Sequence, residues 1–182
     1  MMDILDLLTT RRSSKNLTAP APDELQIETM LQAATQVPDH GDLKPWRFVV
    51  IQSESGNQRF RQILRDTVTT LNMGEEAMKK AERTGNLAPL TIAVIATPKT
   101  GKPEWEQHLS AGCAAYAIQL AAKAQGFDSA WLSGLWVNSP ILKQEFECQE
   151  KDKIIALLMI GTASPNPDAP KNTDITPFTT YW

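Results

Sequence analysis

Arginine, serine and lysine in alternation can hold an anion. In the stretch LLTTRRSSKNLTAPAP, Leu7 to Pro22, an apolar run meets Arg11, Arg12, Ser13, Ser14 and Lys15 and then turns polar and proline-rich. If the chain leaves a helix here and extends, Arg11, Ser13 and Lys15 point to one side, because alternate residues of an extended chain share a face. A guanidinium offers a planar fork suited to phosphate and a hydroxyl adds a donor, so the trio fits the terminal phosphate of a nucleotide or flavin. Spacing alone leaves a second reading open: solvated cations closing a short helix, where positive charge complements the macrodipole.

Other chemistry-bearing patterns are absent. There is no G-x-G-x-x-G, so a Rossmann dinucleotide site has no support. TPKTGKPE contains Gly101 and Lys102 but lacks the upstream glycine of a P-loop, and Pro103 stands where that loop needs Ser or Thr. No G-x-S-x-G elbow occurs. The two histidines, His40 and His108, have no Cys or His at metal-ligand spacing, and His108 and Cys113, five apart, are expected on different helix faces. No metal site and no catalytic side chain is assigned.

Composition narrows the class. With 182 residues, 42% hydrophobic and 21% charged, the chain has the make-up of a globular protein and is long enough for one sizeable core. A net charge of −3 argues against a nucleic-acid binder that works by phosphate neutralisation. The longest apolar run, IIALLMIG, is far short of the roughly 20 residues a membrane helix needs. MMDILDLLTTRR carries acids before its apolar residues and bases after them, the reverse of a secretory signal. Two cysteines make no disulfide framework, so a cytoplasmic protein is expected.

The elements that must position the cluster can be read next. Asp3 and Asp6 before Arg11 and Arg12 predict a short first helix, and Asp23 caps a second that halts before Pro38. Strands are predicted at Arg47 to Ser53, Pro89 to Thr97, DSAWLSG and KIIALLMIGT, the last apolar on both faces and therefore central. Helices are expected from about Asn57 to Thr70, from Gly74 to Arg83, from Glu104 to Gly126 and from Pro140 to Phe146. Ten of the fifteen residues from Ser110 to Ala124 are Ala, Gly, Ser or Cys, which suits a helix packed closely on several sides, in the core or against a second subunit. The whole chain, 1–182, reads as one domain. Its last part, about 163–182, ends in FTTYW and needs something to lie on.

RRSSK resembles the R-R-S-x-[RK] signature of the nitroreductase family of FMN-dependent oxidoreductases. Three further segments match that family in order: VPDHGDLKPWRFVVI, SAGCAAYAIQLAAKAQGFDSAWLSG and DKIIALLMIGTASP. The Pro-Asp-His version of the second segment, the short cap and the ending TPFTTYW are most similar to the small YdjA-type branch. The resemblance implies an α+β fold, a mainly antiparallel sheet wrapped by helices, in an intertwined homodimer.

By that resemblance Arg11 and Ser13 hold the FMN phosphate and ribityl chain, and Lys15 sits near flavin N1 and O2, where reduction places negative charge; Arg12 and Ser14 are secondary. Gln36 and His40 match positions that contact FMN across the subunit boundary. Trp131, Leu132, Ser133 and Gly134 match the strand end whose backbone N–H groups face flavin N5 and O4. Lys171 is a candidate late phosphate ligand. Asp42 and Lys44 depart from the family's Asn and Gln, and Lys44 would add a cation beside the cofactor. Trp46 and Phe48 read as core anchors, and Cys113 as a buried thiol on a dimer helix. The implied function is NADPH- or NADH-dependent, ping-pong hydride transfer to nitroaromatics, quinones or similar small acceptors. The alternatives are a flavin enzyme of the same fold with other chemistry, dehydrogenation or flavin breakdown, and a non-enzymatic FMN-binding protein.

Overall fold

A computed structural model describes residues 3–15, 17–163 and 173–182. Its helices are α1 (Ile4–Thr10), α2 (Glu24–Ala34), α3 (Glu54–Thr70), α4 (Glu75–Gly85), α5 (Glu104–Ala124) and α6 (Pro140–Glu145). Its strands are β1 (Leu17–Thr18), β2 (Trp46–Ile51), β3 (Leu90–Ala96), β4 (Asp128–Leu132) and β5 (Lys153–Ala163). Every strand pair is antiparallel: β2 with β3, β3 with β5, and both β4 and β1 with β5.

Residue period explains the layering. Alternate residues of β3 and β5 face opposite sides of the sheet. Ala93, Ile95, Leu157 and Met159 pack against Phe60, Leu64 and Val68 of α3 and Leu142 of α6. Ile92, Val94, Leu158 and Ile160 pack against Met30 of α2 and Ala111, Ala114, Ala115 and Ile118 of α5. Both faces of these strands are covered, which is why KIIALLMIGT carries no polar alternation.

The expected boundaries shift in three places. The second strand stops at Ile51 because Ser53 is the N-cap of α3, its hydroxyl accepting from Gly56 N–H at 3.0 Å, so that helix begins at Glu54 rather than near Asn57. The two-residue β1 has no periodic signal and exists through its pairing with Thr162 and Ala163. Gly161 permits this approach: a Cβ there would lie 2.8 Å from Pro89 Cδ and 2.9 Å from the Thr18 carbonyl oxygen. The chain after Arg11 is thereby drawn onto the central strand.

Candidate functional site

The basic cluster begins where α1 ends. Arg11 is the C-cap of that helix, extended at φ −54°, ψ 134°, so the chain leaves the helix and runs beside β4. Ser13 forms a parallel bridge with Ser129, and the Ser14 N–H donates to the Ser129 carbonyl at 3.0 Å. Gln119 Nε2, buried on α5, donates to Ser129 Oγ at 3.0 Å, and Lys123 Nζ donates to Asp128 Oδ1 at 2.6 Å. Two segments distant in sequence, RRSSK and DSAWLSG, are therefore stitched together and both fixed to α5.

Arg11 lies with its guanidinium 5.8 Å from the centre of the Tyr116 ring on α5. Its Nη1 is buried and has no hydrogen-bond partner among the described residues. A buried, unsatisfied cationic donor is costly, and an oxyanion is the chemical group that would satisfy it. Arg12 donates through Nη1 to the Arg11 carbonyl at 3.1 Å. Lys15 is exposed and shares the wall of a groove of about 750 Å³ with Leu132. A guanidinium in need of an acceptor, close in the chain to serine hydroxyls, fits a phosphate-bearing group, and Lys15 adds an ammonium that forms no ion pair with any described residue.

On β4, Trp131 is half-buried against the α5 side of the core, while Leu132 packs toward the α3 side. Ser133 and Gly134 are exposed, and Gly134 turns the chain at φ +70°. Trp46 and Phe48 sit half-buried at the edge of the α5-side core rather than in its centre.

Gln36 and His40 stand apart from this cluster. Gln36 is exposed and donates to Thr35 Oγ1 at 3.3 Å. His40 Nδ1 is 2.6 Å from Glu106 Oε2, and Ser110 Oγ donates to the Pro38 carbonyl at 2.8 Å, so their loop hangs on the first turns of α5. Arg11 and Ser13 contact its second half, at Tyr116 and through Gln119. At 1.5 Å per residue, Glu106 and Gln119 are about 20 Å apart along the helix. One chain does not bring the two groups together.

Three other expectations change. Lys44 is spent locally: its Nζ bonds both Asp42 carboxylate oxygens, at 2.8 and 2.9 Å, and Asp42 raises its pKa. The two departures from the family pattern thus satisfy each other. Cys113 is exposed on this chain rather than buried. His108 and Cys113 are not on unrelated faces; both line one apolar groove of about 600 Å³ with Leu109, Gly112 and Tyr116. Lys171 lies outside the described residues. Among the described residues no group of three or more His, Cys, Asp or Glu could hold a metal, and no helix is long and apolar enough to cross a membrane.

Sequence reasoning missed Tyr116, Gln119 and Ser129 as the groups that seat the cluster. Gln119 had a readable signal, a polar residue inside the apolar run AIQLAA; the backbone contacts of Ser129 had none.

The sequence model of the Nitroreductase family matches residues 8–162, which include the basic cluster, β4 and nearly all of β5. The chain belongs to the nitroreductase family. A Haemophilus influenzae protein called "Putative NAD(P)H nitroreductase" is 51% identical over 88% of this chain and 89% of its own. "Putative NAD(P)H nitroreductase YdjA" of Escherichia coli K12 is 41% identical over the full length of both, which places the chain with the YdjA-type branch. The fold agrees: a nitroreductase-like family protein from Bacillus cereus superposes with a TM-score of 0.86, at 21% identity, over 100% of this chain and 97% of that one.

Proposed function

We propose that the protein is an FMN-dependent NAD(P)H oxidoreductase, acting as a homodimer on small electrophilic acceptors such as nitroaromatics and quinones. The observation that carries this reading is Arg11 Nη1, buried and without a hydrogen-bond partner among the described residues, close in the chain to serines that are stitched to β4. The nitroreductase names of relatives at 51% and 41% identity support the activity.

FMN, when bound, supplies two-electron hydride exchange, with NADPH or NADH as donor and the acceptor taking its turn in the same site, a ping-pong order. The chain's own residues bind and orient. Arg11 and Ser13 hold the phosphate and ribityl chain, with Arg12 behind them. Lys15 offers fixed positive charge where negative charge develops, and fixed charge needs no reorganisation at the moment of reaction. The backbone from Trp131 to Gly134, ending β4, offers N–H donors whose positions do not depend on side-chain identity. No side chain is required to move a proton to a nitro or quinone oxygen, since solvent reaches an open groove.

The dimer completes the site. Gln36 and His40 sit near one end of the outer face of α5 and Arg11 near the other, with Gly112 and Cys113 midway. Two α5 helices crossing antiparallel at that midpoint would bring His40 of one subunit toward Arg11 of its partner, as an isologous two-fold interface does. Trp105 and Leu109 on that face are 63% and 61% exposed. Ile175, Phe178, Tyr181 and Trp182 of the terminal segment are exposed too, and this segment packs on the partner. Unpaired cysteines suit the cytoplasm.

The test is the visible spectrum of the purified protein, followed by anaerobic addition of NADPH or NADH and then of a nitroaromatic. A flavin band that bleaches and returns supports the reading. A colourless protein that binds no added FMN overturns it, and bleaching without reoxidation by any nitroaromatic or quinone assigns the flavin to other chemistry.

A further inference from the structure

Several basic side chains outside the Arg11–Lys15 segment are held by acids. Lys123 is held by Asp128, Arg61 by Glu54, Arg59 by Glu145, and Lys79 on α4 by Glu75 and Glu76. Lys15, Lys80 and Arg83 form no ion pair with any described residue, and all three line the same groove of about 750 Å³. No acid among the described residues lines it, although acids outnumber bases, 21 to 18, in the chain.

The arrangement follows from how α4 is seated. Lys80 and Arg83 are three apart and so share a helix face. Ala81, Thr84 and Gly85 are buried against the domain, and a Cβ on Gly85 would lie 2.7 Å from Arg61 Cγ on α3, so the helix lies close against its neighbour. Both cations are exposed and line the groove together with Lys15, and Leu17, Leu87 and Leu132 supply apolar surface in it. Lys79, one residue away, is neutralised within its own helix.

We propose that Lys80 and Arg83 form an anion receptor that holds a carboxylate or phosphate of the molecule reacting in this groove, its planar body against Leu87 and Leu132. The site thus prefers anionic partners. The inference rests on the flavin reading for the reaction, but the binding preference does not depend on turnover. The anion belongs either to the acceptor or to the ribose phosphate that distinguishes NADPH from NADH.

The experiment is calorimetric titration of the purified full chain, with its FMN, at low salt and at physiological salt. The probes are 4-nitrobenzoate against 4-nitrobenzyl alcohol, and NADPH against NADH. At low salt the wild type should bind the more anionic member of at least one pair about tenfold more tightly, a preference that weakens with salt. Lys80→Ala/Arg83→Ala should abolish that preference and leave the less charged member unaffected, whereas Lys79→Ala should keep it. Loss confined to the first pair places the anion on the acceptor, and loss confined to the second places it on the dinucleotide. Equal wild-type affinities in both pairs, or a preference surviving in the double variant, overturns the proposal. So does loss of FMN from the double variant, which would make these cations cofactor ligands. If the flavin reading itself fails, no bleaching occurs while the anion preference remains measurable.

Discussion

A buried guanidinium nitrogen with no partner costs free energy until an acceptor arrives, and among the described residues Arg11 Nη1 has none. Replacing it should therefore cost binding more than folding. Arg11→Ala should weaken FMN affinity by one to two orders of magnitude, corresponding to a charge-assisted hydrogen bond of about 1.5–3 kcal/mol, with little change in melting temperature. Fluorescence titration with FMN reads the first and calorimetry the second; unaltered affinity would return Arg11 to the role of a helix-end cation. A second prediction concerns His108, whose pKa burial lowers, with help from Lys153 and against Glu104. The unfolded chain binds that proton more tightly, so stability contributed by neutral His108 is full above the unfolded value of about 6.5. It is lost as pH falls from there through the lowered folded pKa. The melting temperature of His108→Gln should accordingly fall less than that of the wild type between about pH 8 and about pH 5; parallel curves would contradict this. At this scale the sequence was legible as a family signature, as in RRSSK, which the family match covers. It was not legible where one side chain cancels another, as Asp42 does Lys44, because a loop's path decides that.

Elements with strong periodicity were readable, and those made by contact were not. β3 and β5 declared themselves because residues buried on both faces leave an unbroken apolar run. β1 did not, since two residues carry no period and their strand exists only through Gly161. That glycine gives the test at this scale. A methyl at position 161 meets Pro89 Cδ and the backbone oxygen of Thr18, neither the end of a flexible side chain, so the β1 segment must shift. Gly161→Ala should destabilise the protein by about 1–3 kcal/mol, as overpacking does, and weaken FMN binding by displacing Lys15. Denaturant unfolding and the same titration measure both; wild-type stability would show that β1 does not hold the cluster. The small-residue helix was half understood. Ala111, Ala114, Ala115 and Ala122 are fully buried in the chain's own core, so that stripe serves close packing within the subunit. The face left outward is larger, with Trp105, Leu109 and Tyr116.

For the whole molecule, this division of α5 decides how a dimer can be tested without wrecking the subunit. A large residue at Ala114 would overpack the core and unfold everything, whatever the assembly. Gly112 is the better position. It lies midway between the His40 and Arg11 ends of the helix, and a Cβ there would have nothing within 4 Å. Tryptophan is also a better helix former than glycine. Gly112→Trp should therefore leave the helical circular dichroism of the subunit intact while its ring fills the space a partner helix would need. If two α5 helices cross there, sedimentation should show a dimer for the wild type and a monomer for the variant, and the monomer should lose FMN because Arg11 no longer meets the partner's half of the site. A folded Gly112→Trp dimer that keeps FMN would move the interface elsewhere. A wild-type monomer that holds FMN would mean that Arg11, Ser13 and Lys15 make the site within a single chain, leaving His40 a loop residue tied to Glu106.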